Sequence, residues 1–242
     1  MTRAADVLAA LTARARPERV PLLHGFFQAG PGQYGEGDRF LGLFVPEVRA
    51  LARSAWRLPL ADLDGLLASE WHEARLCALV ALTLRFQKVP DDRAAVAALY
   101  LARTDRVNNW DLVDVSAPYL LGDALVERDD ALDVLEGLAA SGSVWERRMA
   151  AVATLAFLRR QALVPTLVVA ERLVCDPHDL VQKAVGWMLR EAARRDRGPV
   201  EAFLERHAAT MPRTMLRYAL ERFPEPARRH YLGLRVGTSP SR

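Results

Sequence analysis

The chain of 242 residues is half apolar (51%), poor in aromatics (7%) and carries a formal net charge of +3. Its wealth of Ala, Leu and Arg suits packed helices more than strands, and no convincing period-two segment occurs. No apolar run approaches transmembrane length. Met1 to Arg16, where Asp6 and Arg14 interrupt Val7, Leu8 and Leu11, reads as an amphipathic first helix and not as a signal peptide. Cys77 and Cys175 lie in neither a CxxC nor a metal-ligand spacing and read as buried thiols of a reducing compartment, which places the protein in the cytoplasm. His24, His72, His178, His207 and His230 lack ligand spacing too, so no metal site and no cofactor is expected.

Apolar periodicity punctuated by proline predicts helices over residues 3–15, 46–57, 60–69, 71–87, 91–103, 107–119, 129–140, 144–160, 163–174, 178–195, 198–208 and 212–222. Gln28 to Gly42, with five glycines, reads as a loop with Tyr34 and Arg39 at its tip. No strand precedes it, so it does not read as a phosphate cradle. The expectation is one domain over residues 1–236, with a disordered tail over 237–242.

Pairing these helices exposes a repeat. Arg75, Asp114, Arg148, Lys183 and Arg217 follow one another at 39, 34, 35 and 34 residues, the period of a helix-pair solenoid with one equivalent position per repeat. The fold class is therefore all-α, an α-α superhelix. A small residue three positions on, at Ala78, Ala117, Ala151 and Gly186, permits close approach of the neighbouring helix. These helices are expected to line the inner face, where Asp114 is a lone acid in a basic row.

Trp71 and Trp110 stand four residues before the repeated position and Trp187 four after it. A spacing of four puts Trp110 and Asp114 on one helical face, with Asp111 pointing elsewhere. Two indoles near a carboxylate favour a cation. Each indole is worth roughly 0.5–2 kcal/mol, and a carboxylate about 4 Å away roughly 4 kcal/mol at an effective dielectric near 20. Because about 1.4 kcal/mol is a tenfold change in rate, such a site suits a bond that is already weak, as in a nucleobase made cationic by alkylation. The same residues also admit plainer readings: Asp114 with Arg148 as a lateral ladder contact, and the tryptophans as core.

Charge is split along the chain. Residues 1–144 hold 15 basic and 20 acidic side chains, whereas residues 145–242 hold 18 and 10. A basic C-terminal part suits a polyanion, since Lys and Arg release counterions from phosphates.

Trp110-Asp111-Leu112-Val113-Asp114, Val144-Trp145-Glu146-Arg147-Arg148 and Gln182-Lys183-Ala184-Val185-Gly186-Trp187-Met188-Leu189-Arg190-Glu191 resemble segments of the bacterial alkylpurine DNA glycosylases of the AlkD type. That family is built from HEAT-like repeats, and the similarity covers most of the chain. The resemblance implies a monomeric, cofactor-free DNA glycosylase of base excision repair, acting on N3-methyladenine and N7-methylguanine in double-stranded DNA. It implies Trp110, Asp114 and Trp187 as the catalytic cleft and Arg148 on the DNA backbone, and Lys183 and Arg190 are expected to hold phosphates with it. Leu43-Phe44-Val45-Pro46 departs from the family by placing an aromatic where relatives are commonly polar. The competing readings are a non-catalytic binder of branched or bent DNA and a protein-interaction scaffold.

Overall fold

The computed structural model describes residues 3–234, and the tail expected from Gly237 lies outside them. In chain order the helices are α1 Ala4–Thr12, α2 Val20–Phe26, α3 Val45–Ala55, α4 Leu60–Leu67, α5 His72–Lys88, α6 Arg93–Ala102, α7 Trp110–Ala117, α8 Asp123–Leu125, α9 Ala131–Ala139, α10 Val144–Ala153, α11 Leu155–Arg159, α12 Val164–Leu173, α13 Asp179–Ala193, α14 Arg197–His207, α15 Arg213–Ala219 and α16 Glu225–Gly233. The described residues form no strand beyond an isolated bridge between Arg39 and Trp71. The class is all-α, of the α-α superhelical kind. Among the described residues no helix is long and apolar enough to cross a membrane.

The chain divides into two compact units, Met1–Ala124 and Leu125–Arg242. In the first, α3, α5 and α7 pack side by side, with α4 and α6 against α5 and α1 over α3 and α4. In the second, α10, α13 and α15 form the row, with α9, α12 and α14 against it. α5, α10 and α13 thus each bury one stripe on the preceding helix of their pair and another on their neighbour in the row, the two-layer logic of a helical repeat. α5 is flanked on nearly every side, which explains why even His72, Glu73 and Arg75 are buried on it.

Local chemistry sets several boundaries. α7 was expected to run to residue 119 but ends at Ala117, where Pro118 has no N–H to return to the Asp114 carbonyl. The chain widens into a π turn over Pro118–Gly122. The expected continuous helix over 144–160 is interrupted at Thr154, whose hydroxyl donates to the Ala151 carbonyl at 2.7 Å and bends the chain. Gly186 is required by packing, since a Cβ there would lie 2.5 Å from the Met215 carbonyl oxygen and from the Tyr218 Cβ. α2 and α16 are absent from the sequence expectation. α2 is a short turn started by Pro21 that leaves Leu22 and Phe26 exposed, and Tyr231 is the buried residue of α16, so neither carries a clear apolar period.

Candidate functional site

The glycine-rich stretch is exposed over residues 31–33 and 36–37 but does not stay on the surface. Arg39 is exposed, but its neighbours Asp38 and Phe40 turn into the interior of the first unit. Glu73, the second residue of α5, holds the stretch there. Its buried carboxylate accepts from the backbone N–H groups of Leu41 (2.9 Å), Gly42 (2.9 Å) and Leu43 (3.0 Å). Gly42 adopts φ +88°, and a Cβ would sit 2.1 Å from the Arg16 carbonyl oxygen, so only glycine closes this turn.

Asp38 then becomes the centre of a buried polar network. One carboxylate oxygen accepts from the Arg75 guanidinium; the other accepts from His72 Nδ1 at 3.0 Å and Asn109 Nδ2 at 3.0 Å. On the far side of the imidazole, His72 Nε2 donates to Asp111 at 2.9 Å. Burial alone would lower the His72 pKa, but the Asp111 and Asp38 carboxylates together override it and raise it to about 9. The ring is therefore an imidazolium at neutral pH, packed against Phe27 (centroids 4.6 Å apart) and Phe40 (5.1 Å), which stack on each other. Burial also works against ionisation of Asp38, yet its bond from His72 and the Arg75 charge keep its pKa below the usual carboxylate value. Two anions and two cations thus neutralise one another inside the unit.

The network carries α7. Asn109 accepts from the Trp110 N–H at 2.9 Å, capping the helix, while its amide ties that cap to Asp38. Farther along, Tyr100 O–H donates to Ser116 Oγ (3.0 Å), which donates to the Leu112 carbonyl (2.5 Å), fixing the rotation of α7 against α6. The result is that Trp110 and Asp114, one turn apart, share one half-buried face. The Trp110 ring packs on Phe27 and edge-on against Phe26, each 5.7 Å between centroids. Beside it Leu22, Phe26, Phe44 and Val45 stay exposed around an apolar recess of about 260 Å³. Asp114 is near enough to Tyr100 that its charge adds to burial in raising the phenol pKa.

The second unit holds the other sequence-derived residues. Lys183, Trp187 and Arg190 are spaced four and three along α13 and share its half-buried face. Arg148 on α10 is 5% exposed and donates to the Leu180 carbonyl in the first turn of α13. Lys183 pairs with Asp179 at 2.5 Å. Arg190 pairs with Glu221 and, at 3.6 Å, with Glu191, so a phosphate there has to compete with carboxylates.

Two expectations need correction. Arg75 does not line a surface: it is 2% exposed, because its guanidinium serves Asp38 and the Ser69 and Glu70 carbonyls. Cys77 is buried, its thiol pushed up to about 12 by burial, but Cys175 is exposed in the turn after α12. Sequence reasoning also missed Asp38, His72, Asn109 and Asp111 as a set. The available signal was Asn109-Trp110-Asp111, a cap residue followed by an acid in the first turn of a helix whose apolar stripe lies elsewhere.

The fold has a solved counterpart. The chain is similar, with a TM-score of 0.68 and 16% identity, to a structure described as a predicted DNA alkylation repair enzyme from Enterococcus faecalis, over 87% of this chain and 97% of that one. No curated protein matches the chain. Residues 7–223 match the sequence pattern of the DNA alkylation repair enzyme family, and the chain therefore belongs to that family, with a role in the repair of alkylated DNA.

Proposed function

We propose that the protein is a DNA glycosylase that hydrolyses the N-glycosidic bond of cationic alkylated purines, such as N3-methyladenine and N7-methylguanine, in duplex DNA. The observation that carries this reading is the placement of Trp110 and Asp114 on one face of a helix anchored by a neutralised, fully internal network.

The chemistry asks little of the protein. Alkylation makes the base a cation, so the C1′–N bond breaks with its electron pair passing to the base, which departs neutral without a general acid. What remains is an oxocarbenium-like sugar. The Asp114 carboxylate stabilises that charge and orients a water whose oxygen bonds to C1′, its proton passing to the carboxylate or to solvent. Trp110 offers a π face to the cationic base. Lys183 and Arg190 serve the phosphates, while the buried Arg148 holds the first turn of α13 through the Leu180 carbonyl, and neutral bases stay intact because they leave poorly.

The test is release of methylated purines from alkylated duplex DNA, measured for the wild type and for Asp114→Asn. Release by the wild type and its loss in the variant is the expected result. Tight, salt-sensitive binding without release refutes catalysis in favour of a non-catalytic DNA binder, and undiminished release by the variant refutes the role of Asp114.

A further inference from the structure

Asp114 sits in the weaker half of a short helix. α7 is eight residues long, and its first turn is held by the Asn109 cap and by the bond from His72 to Asp111. From Asp114 onward the backbone ladder is interrupted, because Pro118 has no N–H to return and the chain widens into the π turn. Side chains have to supplement the ladder there.

One relay does so. Tyr100 on α6 is fully buried, and its O–H donates to Ser116 Oγ at 3.0 Å, which donates to the Leu112 carbonyl at 2.5 Å. The relay therefore joins residues on either side of Asp114. α6 is a fixed post for it. Arg93, its first residue, donates to the Phe86 carbonyl of α5 at 3.0 Å, and Arg103, just past its end, grips Asp64 of α4 at 2.7 and 2.8 Å. Phenylalanine would fill the same space with no buried hydroxyl to satisfy, so the phenol oxygen calls for a reason. Burial foremost, with the Asp114 charge adding to it, raises the phenol pKa against the bond to Ser116, and the group stays a donor.

We propose that Tyr100 and Ser116 are positioning residues for the Asp114 carboxylate: they set the rotation of α7 and touch no substrate. The assignment rests on the glycosylase reading for the reaction it serves. Ser116 lies about 200° around the helix from Asp114, so the relay holds the buried back of α7 while the half-buried carboxylate faces the other way. The end of a side chain stands about 5–6 Å from the helix axis, so a turn of roughly 20° shifts the carboxylate by about 2 Å. A misplacement of about 1 Å can cost roughly a hundredfold in rate. Duplex affinity is a sum over phosphate contacts and barely registers the same rotation.

The test is single-turnover release of N7-methylguanine from an alkylated duplex, alongside equilibrium binding of a fluorescein-labelled undamaged duplex, for wild type, Tyr100→Phe, Ser116→Ala and the double variant. Each single substitution is expected to slow release by about tenfold with Kd unchanged. The double variant should be no slower than the slower single one, because both substitutions break the same relay. Tyr100→Phe introduced into Asp114→Asn is expected to slow the residual release no further, since the carboxylate it positions is already gone. A merely structural role would slow both backgrounds alike. Melting temperatures of every variant ensure that rates are compared well below unfolding. A wild-type release rate in Tyr100→Phe overturns the assignment, as does equal slowing in the Asp114→Asn background, and either result leaves the glycosylase reading standing. A wild type that releases no methylated purine overturns that reading and the positioning role with it.

Discussion

His72 Nε2 lies 2.9 Å from the Asp111 carboxylate while its Nδ1 lies 3.0 Å from Asp38, so one buried imidazolium joins the glycine-rich stretch to the helix that bears Trp110 and Asp114. The bond is a structural device with a chemical signature, because the charged form of the ring is what holds the two carboxylates.

Stability should therefore depend on pH with a definite sign. The folded pKa of His72, about 9, exceeds the unfolded value of 6.5, so its contribution is complete below pH 6.5 and lost as pH rises through about 9. The difference amounts to on the order of 3 kcal/mol. Thermal unfolding followed from pH 6 to 10 should show a falling alkaline limb, and His72→Gln should flatten that limb while lowering stability at pH 6.

Asp111→Asn keeps the shape of the side chain and removes one of the two charges that raise the imidazole pKa. The alkaline limb should then begin at lower pH than in the wild type. Titration of the imidazole by NMR checks the same point directly, and an unmoved His72 pKa would contradict the electrostatic account.

Glu73→Gln leaves too few acceptor sites for the N–H groups of Leu41, Gly42 and Leu43 and brings an amide N–H toward them. A loss on the order of 3 kcal/mol is expected, read from urea unfolding, since each buried donor left without a partner costs about 1–3 kcal/mol.

Gly186→Ala places a Cβ against backbone at Met215, an atom that cannot swing aside as the end of a long side chain can. Destabilisation of about 1–3 kcal/mol is expected, and a melting temperature equal to the wild type would show that α15 moves freely away from α13.

On the proposed chemistry, Asp114→Asn should lower single-turnover base release by about a thousandfold, corresponding to roughly 4 kcal/mol at an effective dielectric near 20. Duplex affinity should be little changed. Trp187→Ala should likewise lose more rate than binding, which rapid-quench kinetics alongside fluorescence anisotropy can separate.

The helices and their pairing were legible because each repeat must bury the same stripe, which fixes both apolar period and small-residue spacing. Gly186 is an example: the sequence marks it as small, and Met215 shows why. Trp110 and Asp114 were legible for the same reason, since four residues always bring two side chains to one helical face. The support beneath them was not. Asp38 meets Asn109 across 71 residues of chain, from within a stretch whose glycines suggest only a loop, and no local pattern encodes a contact of that range. Arg75 was misread as a surface cation because periodicity reports the repeat position but not which acid, from outside the repeat, reaches it.

That same separation bears on how the first unit forms. Helix pairs such as α4 and α5 join through nearby residues and can assemble early, whereas the junction of Asp38 with Asn109 demands closure of a long segment before any stabilisation is returned. The junction is thus expected to form late on the folding route. Substitution at Asp38 should then hasten unfolding far more than it slows refolding, and the durability of the native chain would rest on an acid that contributes little to its initial collapse.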